Sequence, residues 1–384
     1  MAMREINLFT YGDSTKPATW SNVPYCLSSA LQSMGYRINR IDISLSDNRL
    51  LNICRRIWNA VARRVLGVLH RGDKFAYTFD RTPLFCKEVE KRISAANRKY
   101  PNVCCNIFLS FSCYNRYSEA PSILLCDWTF EHLLREQYVR EPYACERKYI
   151  QLQQEAINNC KYVVSLFEKS AQYIAERSSN PNIVHLGSNV INIIGENHPT
   201  EELSFTKSAT HNILFVGGYR YREAAVQLVE SFDALKHLYP DLKIDIVGQT
   251  VENLGISIPD GVSCHGYLDK ANPRQQETYY RLFKEASLFI NHNPIWAGYS
   301  SMIEAMYFYT PVIVSPYAEF VGEFGERITF GEYCSTFSKE ELAECIKKVF
   351  DSSDRQRMAT DAHNAVKDYT WQSFVEKLVK LIEE

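Results

Sequence analysis

No run of uncharged apolar residues in this 384-residue chain approaches the ~20 needed to cross a bilayer, so a membrane-spanning helix is not expected. No charged-apolar-small leader opens it, which argues against a cleaved secretory signal. None of the twelve cysteines stands at Cys-x-x-Cys spacing, and nothing resembles a zinc cluster. Most lie in apolar stretches such as Ile123–Cys126 and read as small buried hydrophobes of a reducing cytoplasm. The phosphate loop G-x-x-x-x-G-K-S/T and the dinucleotide fingerprint G-x-G-x-x-G are both missing. So is Asp-x-Asp, the usual carboxylate pair for a metal bridging a nucleotide diphosphate; no metal ligand is expected.

What is present is ordinary for a globular protein: 46% hydrophobic and 23% charged residues. The length suggests two domains. The net charge of −2 hides a split. Residues 1–200 carry 25 Lys and Arg against 18 Asp and Glu, and residues 201–384 carry 18 against 27. A basic half suits phosphate, anionic lipid or mere surface drift. With no recognisable motif and no overall basic excess, nucleic acid is not an expected partner.

Short β-type runs alternate with amphipathic stretches. The first half offers strands at Ile6–Thr10, Ile38–Asp42, Ala76–Phe79, Asn106–Phe111, Ile123–Cys126, Tyr162–Leu166 and Ile183–Leu186. The second offers Ile213–Val216, Lys243–Val247, Val262–His265, Leu288–Ile290 and Val312–Val314. Helical period marks Pro24–Met34, Leu50–His70, Leu84–Lys99 and Glu146–Asn158, then Arg222–Tyr239, Gln275–Ala286, Ser301–Phe308, Lys339–Phe350, Arg355–Asp368 and Trp371–Ile382. Apolar strands alternating with helices predict an α/β protein of two Rossmann-like, doubly wound parallel-sheet domains facing across a cleft. The polar stretch Glu196–His211, with Pro199, is the expected linker.

Two segments carry candidate chemistry. In Ile213–Glu223 a strand runs into Gly217-Gly218 and then a helix beginning near Arg222. Paired glycines admit a ligand close to the backbone, and a helix start favours phosphate. The competing reading is a tight turn with solvated arginines. In Trp296–Glu304, Gly298, Ser300 and Ser301 precede a helix. Glu304 is placed either to accept from sugar hydroxyls or to close a Ser301-x-x-Glu304 capping box. His292, after its strand, is placed to touch a donor sugar or to pack. In the first half, Gly12, Asp13, Ser21, Asn22, Asp127 and His132 fall near strand ends. Asp127 suits a proton acceptor or a cap for the helix near Thr129. Arg55, Arg56, Arg63, Arg64 and Arg71 share a helix with Trp58 and a leucine-rich opposite face, suiting an anionic membrane surface or an ordinary solvated face.

Several stretches together resemble GT-B glycosyltransferases of the family-4 type. They are Ile213–Glu230 with Asp241–Gly248, Cys264–Leu268, and Ala286–Ile290 through Ile303–Met306 to Thr310–Val314. Asn159–Ser165 with Ile183–Ser188, and more loosely Trp20–Tyr25, resemble the acceptor domain. Tyr369–Phe374 resembles a terminal helix that crosses back onto the first domain. The resemblance implies an acceptor domain at 1–195, joined by the helix 371–384, and a donor domain at 205–370. It implies a retaining, metal-independent hexosyltransferase in polysaccharide biosynthesis. It would use no cofactor and a UDP- or GDP-sugar as donor, with a glycan or lipid-linked acceptor. Donor contacts would come from Gly217, Gly218, Arg222, His265, Tyr267, Leu268, His292, Gly298, Tyr299, Ser300, Ser301 and Glu304. His265–Leu268 would meet the base through its backbone. Acceptor contacts would come from Gly12, Asp13, Ser21 and Asn22, with Asp127 and Glu304 catalytic. Location would be cytoplasmic, with peripheral contact at the inner membrane face through residues 50–71. Two departures stand out: Glu223 replaces the family's lysine and Trp296 its first glutamate. They keep open a catalytically degenerate partner subunit, and an NDP-sugar epimerase of the same fold is a further alternative.

Overall fold

The computed structural model describes residues 4–69, 76–187, 190–294 and 299–384. The chain forms two compact units, Met1–Ser188 with Gln372–Glu384, and Asn189–Trp371. The first holds β1 (Glu5–Thr10), β2 (Arg37–Asp42), β3 (Cys105–Phe108), β4 (Ser122–Cys126), β5 (Tyr162–Ser165) and β6 (Ile183–His185), in the order β2-β1-β3-β4-β5-β6. The second holds β7 (Asn212–Val216), β8 (Lys243–Val247), β9 (Val262–Gly266), β10 (Leu288–Asn291), β11 (Val312–Val314) and β12 (Gly331–Tyr333), in the order β12-β11-β10-β7-β8-β9. Every strand pair is parallel. The strands are apolar because helices cover both faces of such a sheet. Phe9, Phe108 and Leu124 sit in the first core and Ile213, Phe215, Ile244 and Ile290 in the second, nearly all fully buried.

Several expectations are corrected. Ala76–Phe79 is no strand. Phe79–Arg81 makes one tight helical turn, because Thr78 and Phe79 carbonyls accept from Arg81 and Thr82 amides while Arg81 reaches back to the Ala76 carbonyl. The helix expected over Arg222–Tyr239 breaks at Ser231 into Arg222–Glu230 and Phe232–Leu238. Strand β12 has no apolar run to announce it. Its Gly331 lies so close to β11 that a Cβ would stand 1.9 Å from the Val312 oxygen.

The segment Glu196–His211 belongs to the second unit and contains the helix Glu202–Ser208. Lys207 anchors it, with a buried ammonium donating to the Phe283 and Phe308 carbonyls and to Thr310 Oγ1. Burial without a carboxylate holds that amine well below the ordinary lysine range. After Trp371 the chain returns to the first unit, where Lys377 donates to the Leu186 carbonyl and Tyr162 donates to Glu384.

All twelve cysteines are free thiols, six of them buried; Cys54 and Cys145 are exposed. Among the described residues no helix is long and apolar enough to cross a membrane.

Candidate functional site

In an open α/β sheet, ligands bind beyond the carboxyl ends of the strands where chain order reverses. In the second unit that point lies between β10 and β7. Gly217-Gly218 leaves β7 and Asn291-His292 leaves β10 there, and Asn291 Nδ2 donates to the Val216 carbonyl at 3.4 Å. Beside them the backbone is closely packed. Gly248 takes φ +94°, and a Cβ there would lie 2.6 Å from the Gly217 oxygen. Gln249 Nε2 donates to that same oxygen at 2.9 Å, while its buried Oε1 has no partner among the described residues. A Cβ on Gly217 would meet Tyr221 at 2.9 Å and Phe215 at 3.0 Å.

Gly218 is different. Its φ of −74° suits any residue, and nothing among the described residues lies within 4 Å of where its Cβ would be. Among the described residues, packing therefore does not require glycine at 218. A single helical turn, Tyr219–Tyr221, leads into the helix Arg222–Glu230.

Arg222 is already occupied. Its Nε donates to the Asn253 carbonyl at 2.8 Å and another guanidinium nitrogen to the Leu254 carbonyl, sealing the short helix Val251–Leu254. Glu223 is exposed in the first turn.

The capping-box reading of Glu304 fails. The helix is Ser300–Tyr307 with Tyr299 at its N-cap and no side-chain cap bond, so the N3 position of a capping box falls on Met302 and Glu304 is two positions too deep. Its Oε1 instead accepts from Lys270 Nζ at 2.8 Å and its Oε2 from Tyr279 OH at 3.0 Å. The pair is almost fully buried, with side-chain exposures of 9% for Lys270 and 4% for Glu304. Lys270 also donates to the Asn192 carbonyl and stands 4.2 Å from the Tyr279 ring centre. Burial pushes the Glu304 carboxyl above the usual range, with Lys270 and Tyr279 opposing. The sequence reading missed Lys270. It lies two residues past Leu268, and the strand-end rule carried that much further reaches it.

The other donor-side candidates scatter. His265 pairs with Asp245 on the neighbouring strand through Nε2 at 2.6 Å. Tyr267 is exposed and Leu268 half-buried. His292 is fully buried, and its Nε2 faces Gln227 Oε1 at 3.0 Å. Its Nδ1 has no partner among the described residues, and burial pulls its pKa down to about 4, so it is a packed, neutral imidazole at neutral pH. Tyr299 is a core residue against Phe320 and Phe324, which leaves only its backbone for a ligand. Ser300 and Ser301 sit half-buried in the first turn of their helix. Gly298, like Trp296, lies outside the described residues.

In the first unit, β1 and β3 flank the reversal. The loop after β1 is shaped by Gly12, at φ +106°, whose amide donates to Asp42, and by Asp13, whose Oδ1 accepts from the Thr15 amide and hydroxyl. Trp20, Ser21 and Asn22 all take positive φ (37°, 52° and 72°), conformations that cost side-chain-bearing residues energy and cluster at ligand sites.

Asp127 does not cap a helix; Thr129 does, accepting from the His132 amide. Asp127 Oδ1 accepts from the Trp128 amide at 2.7 Å and the Cys126 thiol at 3.2 Å. Burial raises its carboxyl above the usual range. Beside it stands a stack unseen in the sequence: Trp128 on His132 at 4.5 Å, His132 on Tyr173 at 4.2 Å, and the Arg177 guanidinium over Tyr173 at 3.8 Å. Trp128 Nε1, His132 Nδ1 and Tyr173 OH are buried with no hydrogen-bond partner among the described residues. Burial, with Arg177 adding to it, lowers the His132 pKa to about 4.

No protein-family model matches the chain, and no curated protein sequence matches it. Solved structures do. Sucrose-phosphate synthase from Thermosynechococcus elongatus aligns with a TM-score of 0.66 at 14% identity, over 99% of this chain and 98% of that one. Anabaena HepE, solved with UDP and glucose, aligns with a TM-score of 0.60 at 10% identity over the whole of both chains. S. aureus TarM, solved with UDP and α-GlcNAc-glycerol, aligns with a TM-score of 0.57 at 15% identity. That match covers 77% of this chain and 59% of TarM, so the chain spans less than two thirds of TarM's length. At such identities the likeness defines the fold. It is GT-B: α/β, with two six-stranded parallel sheets, each wound by helices.

Proposed function

We propose that the protein is a glycosyltransferase that moves a hexose from a UDP- or GDP-sugar to a hydroxyl of a glycan or lipid-linked acceptor. The reaction retains anomeric configuration and needs no metal. The observation that carries this reading is Gly218: a glycine at the switch point of the second sheet, in an ordinary conformation, with no atom of the described residues within 4 Å of where its Cβ would be. A phosphate seated there meets backbone amides and the start of the helix Arg222–Glu230. The structures that share the fold and were solved with UDP support the same choice of donor. On the acceptor side, the strained loop Trp20–Asn22 and the unpartnered polar edges of Trp128, His132 and Tyr173 offer bonds to sugar hydroxyls. Asp127, its pKa raised, would take the proton.

A second reading has its own support. Arg222 and Glu304 are both engaged within the protein, which suits a catalytically silent nucleotide-binding subunit. A thermal-shift screen against UDP, GDP, ADP, CMP and TDP, with and without EDTA, tests the shared premise. Ligand at 100 times its Kd stabilises by about 2.7 kcal/mol. No shift with any nucleotide refutes both readings, and strict Mg²⁺ or Mn²⁺ dependence refutes the metal-free one. Slow hydrolysis of UDP- or GDP-sugar separates the enzyme from the silent subunit. Epimerised sugar formed without acceptor would instead mark an epimerase.

A further inference from the structure

The helix Arg49–Leu69 is turned the opposite way from an ordinary amphipathic surface helix, whose apolar stripe faces the core. Leu50, Ile53, Ile57, Val61 and Val65 recur at three- and four-residue spacing on its outer side, each between 51% and 75% exposed, with Trp58 at the border. Its polar groups hold it to the body. Arg55 donates to Asp80, Asn52 and the Ser44 carbonyl, and Asn59 accepts from the Phe79 amide. Leu51 and Ala62 are its buried side chains among those described. The sequence reading expected arginines outside and an apolar face opposite them; Arg56 and Arg64 are outside, but Arg55 turns inward and the apolar stripe is exposed rather than buried. The Arg63 side chain and residues 70–71 of the expected contact lie outside what is described.

Charge narrows the choice of what covers this face. The helix carries arginines at 49, 55, 56, 63 and 64 and not one Asp or Glu. Arg49, Arg56 and Arg64 are exposed beside or within the apolar stripe. A second copy docking stripe to stripe would set these arginines against their own counterparts with no carboxylate on the helix to relieve them. An anionic bilayer answers both features at once, with acyl chains for the stripe and lipid phosphates for the arginines. The helix is not apolar enough to span. We propose that Arg49–Leu69 is an in-plane interfacial helix that docks the protein on an anionic phospholipid surface. Leu50, Ile53, Ile57, Val61 and Val65 enter the acyl layer, Trp58 sits at its edge, and Arg56 and Arg64 reach the phosphates. This does not depend on the proposed activity.

Flotation of the full chain with vesicles tests it, using phosphatidylcholine alone or mixed with an equal part of phosphatidylglycerol. The wild type is expected to float with the anionic vesicles and not with phosphatidylcholine alone. Ile53→Ser with Ile57→Ser and Val61→Ser, all exposed positions, should lower vesicle binding at least tenfold, even at low salt, with melting unchanged. Arg56→Gln with Arg64→Gln should lower it and flatten its salt dependence. A wild type that ignores anionic vesicles at low salt overturns the proposal. Undiminished binding of the serine variant overturns it as well, since adsorption would then be by charge alone. A wild-type dimer in light scattering that the serine substitutions dissolve assigns the stripe to a second copy and likewise overturns it.

Discussion

Lys270 and Glu304 make the sharpest quantitative test, because burial separates a structural pair from a solvated one. With 9% and 4% of their side chains exposed, neither charge has water to fall back on if its partner is removed. Removing one member of such a pair costs about 3–5 kcal/mol, whereas replacing both with apolar residues of similar volume is neutral or stabilising. For a unit of this size each kcal/mol moves the melting temperature by about 2–4 °C, so Lys270→Met alone should lower the transition of the second unit by roughly 10 °C. Glu304→Leu alone should do the same, and it also strands Tyr279 OH. The double variant should recover most of the loss, giving a coupling of at least about 2 kcal/mol in the cycle. Urea unfolding of the four proteins, followed by circular dichroism, provides the measurement. Single variants that each cost under about 1 kcal/mol, with additive effects, would show that the pair is solvated in solution and refute the reasoning. Nucleotide affinity measured on the double variant then shows whether Glu304 also serves a ligand: a stable double variant that still binds UDP or GDP normally confines the pair to structure.

His132 and His292 both stay neutral in the fold, with pKa values brought down to about 4. The unfolded chain binds protons from about pH 6.5 downward while the folded imidazoles resist, so stability present at pH 7 is lost as pH falls from 6.5 to 4, by up to roughly 3 kcal/mol for each histidine. Urea midpoints at pH 7 and 4.5 check this, and a midpoint that rises with acid contradicts it; His292→Gln should shallow the slope. Gly218→Ala should leave melting within about 0.5 kcal/mol of wild type yet weaken UDP or GDP binding at least tenfold, whereas Gly217→Ala, crowded by Tyr221 and Phe215, should cost about 1–3 kcal/mol. Unaltered affinity in Gly218→Ala removes the ligand from that space. Gly331→Ala places a Cβ within 1.9 Å of the Val312 oxygen, so β12 must part from β11, read as faster amide exchange at Cys334, whose amide donates to the Val314 carbonyl. Exchange as slow as in the wild type would show that the sheet edge absorbs the clash.

The sequence by itself determined the alternation of strand and helix, and through it the two parallel sheets. Runs such as Ile123–Cys126 and Ile213–Val216 are apolar on both faces because helices cover both, and that signal is local. It also placed Gly217, Gly218, His292 and Asp127 at strand ends, since a strand's end is where its apolar run stops. What the tertiary structure alone decided was partnership. Glu304 finds Lys270 and Tyr279, 34 and 25 residues away, and loses the capping box its own neighbours suggested. Lys207 turns an expected linker into a buried anchor. Strand β12, too short and polar to show a period, exists because β11 lies beside it. Periodicity fixed that Leu50, Ile53, Ile57, Val61 and Val65 share one side of a helix. Which side meets water followed from Arg55 reaching Asp80, a contact between residues 25 apart that no repeating pattern encodes.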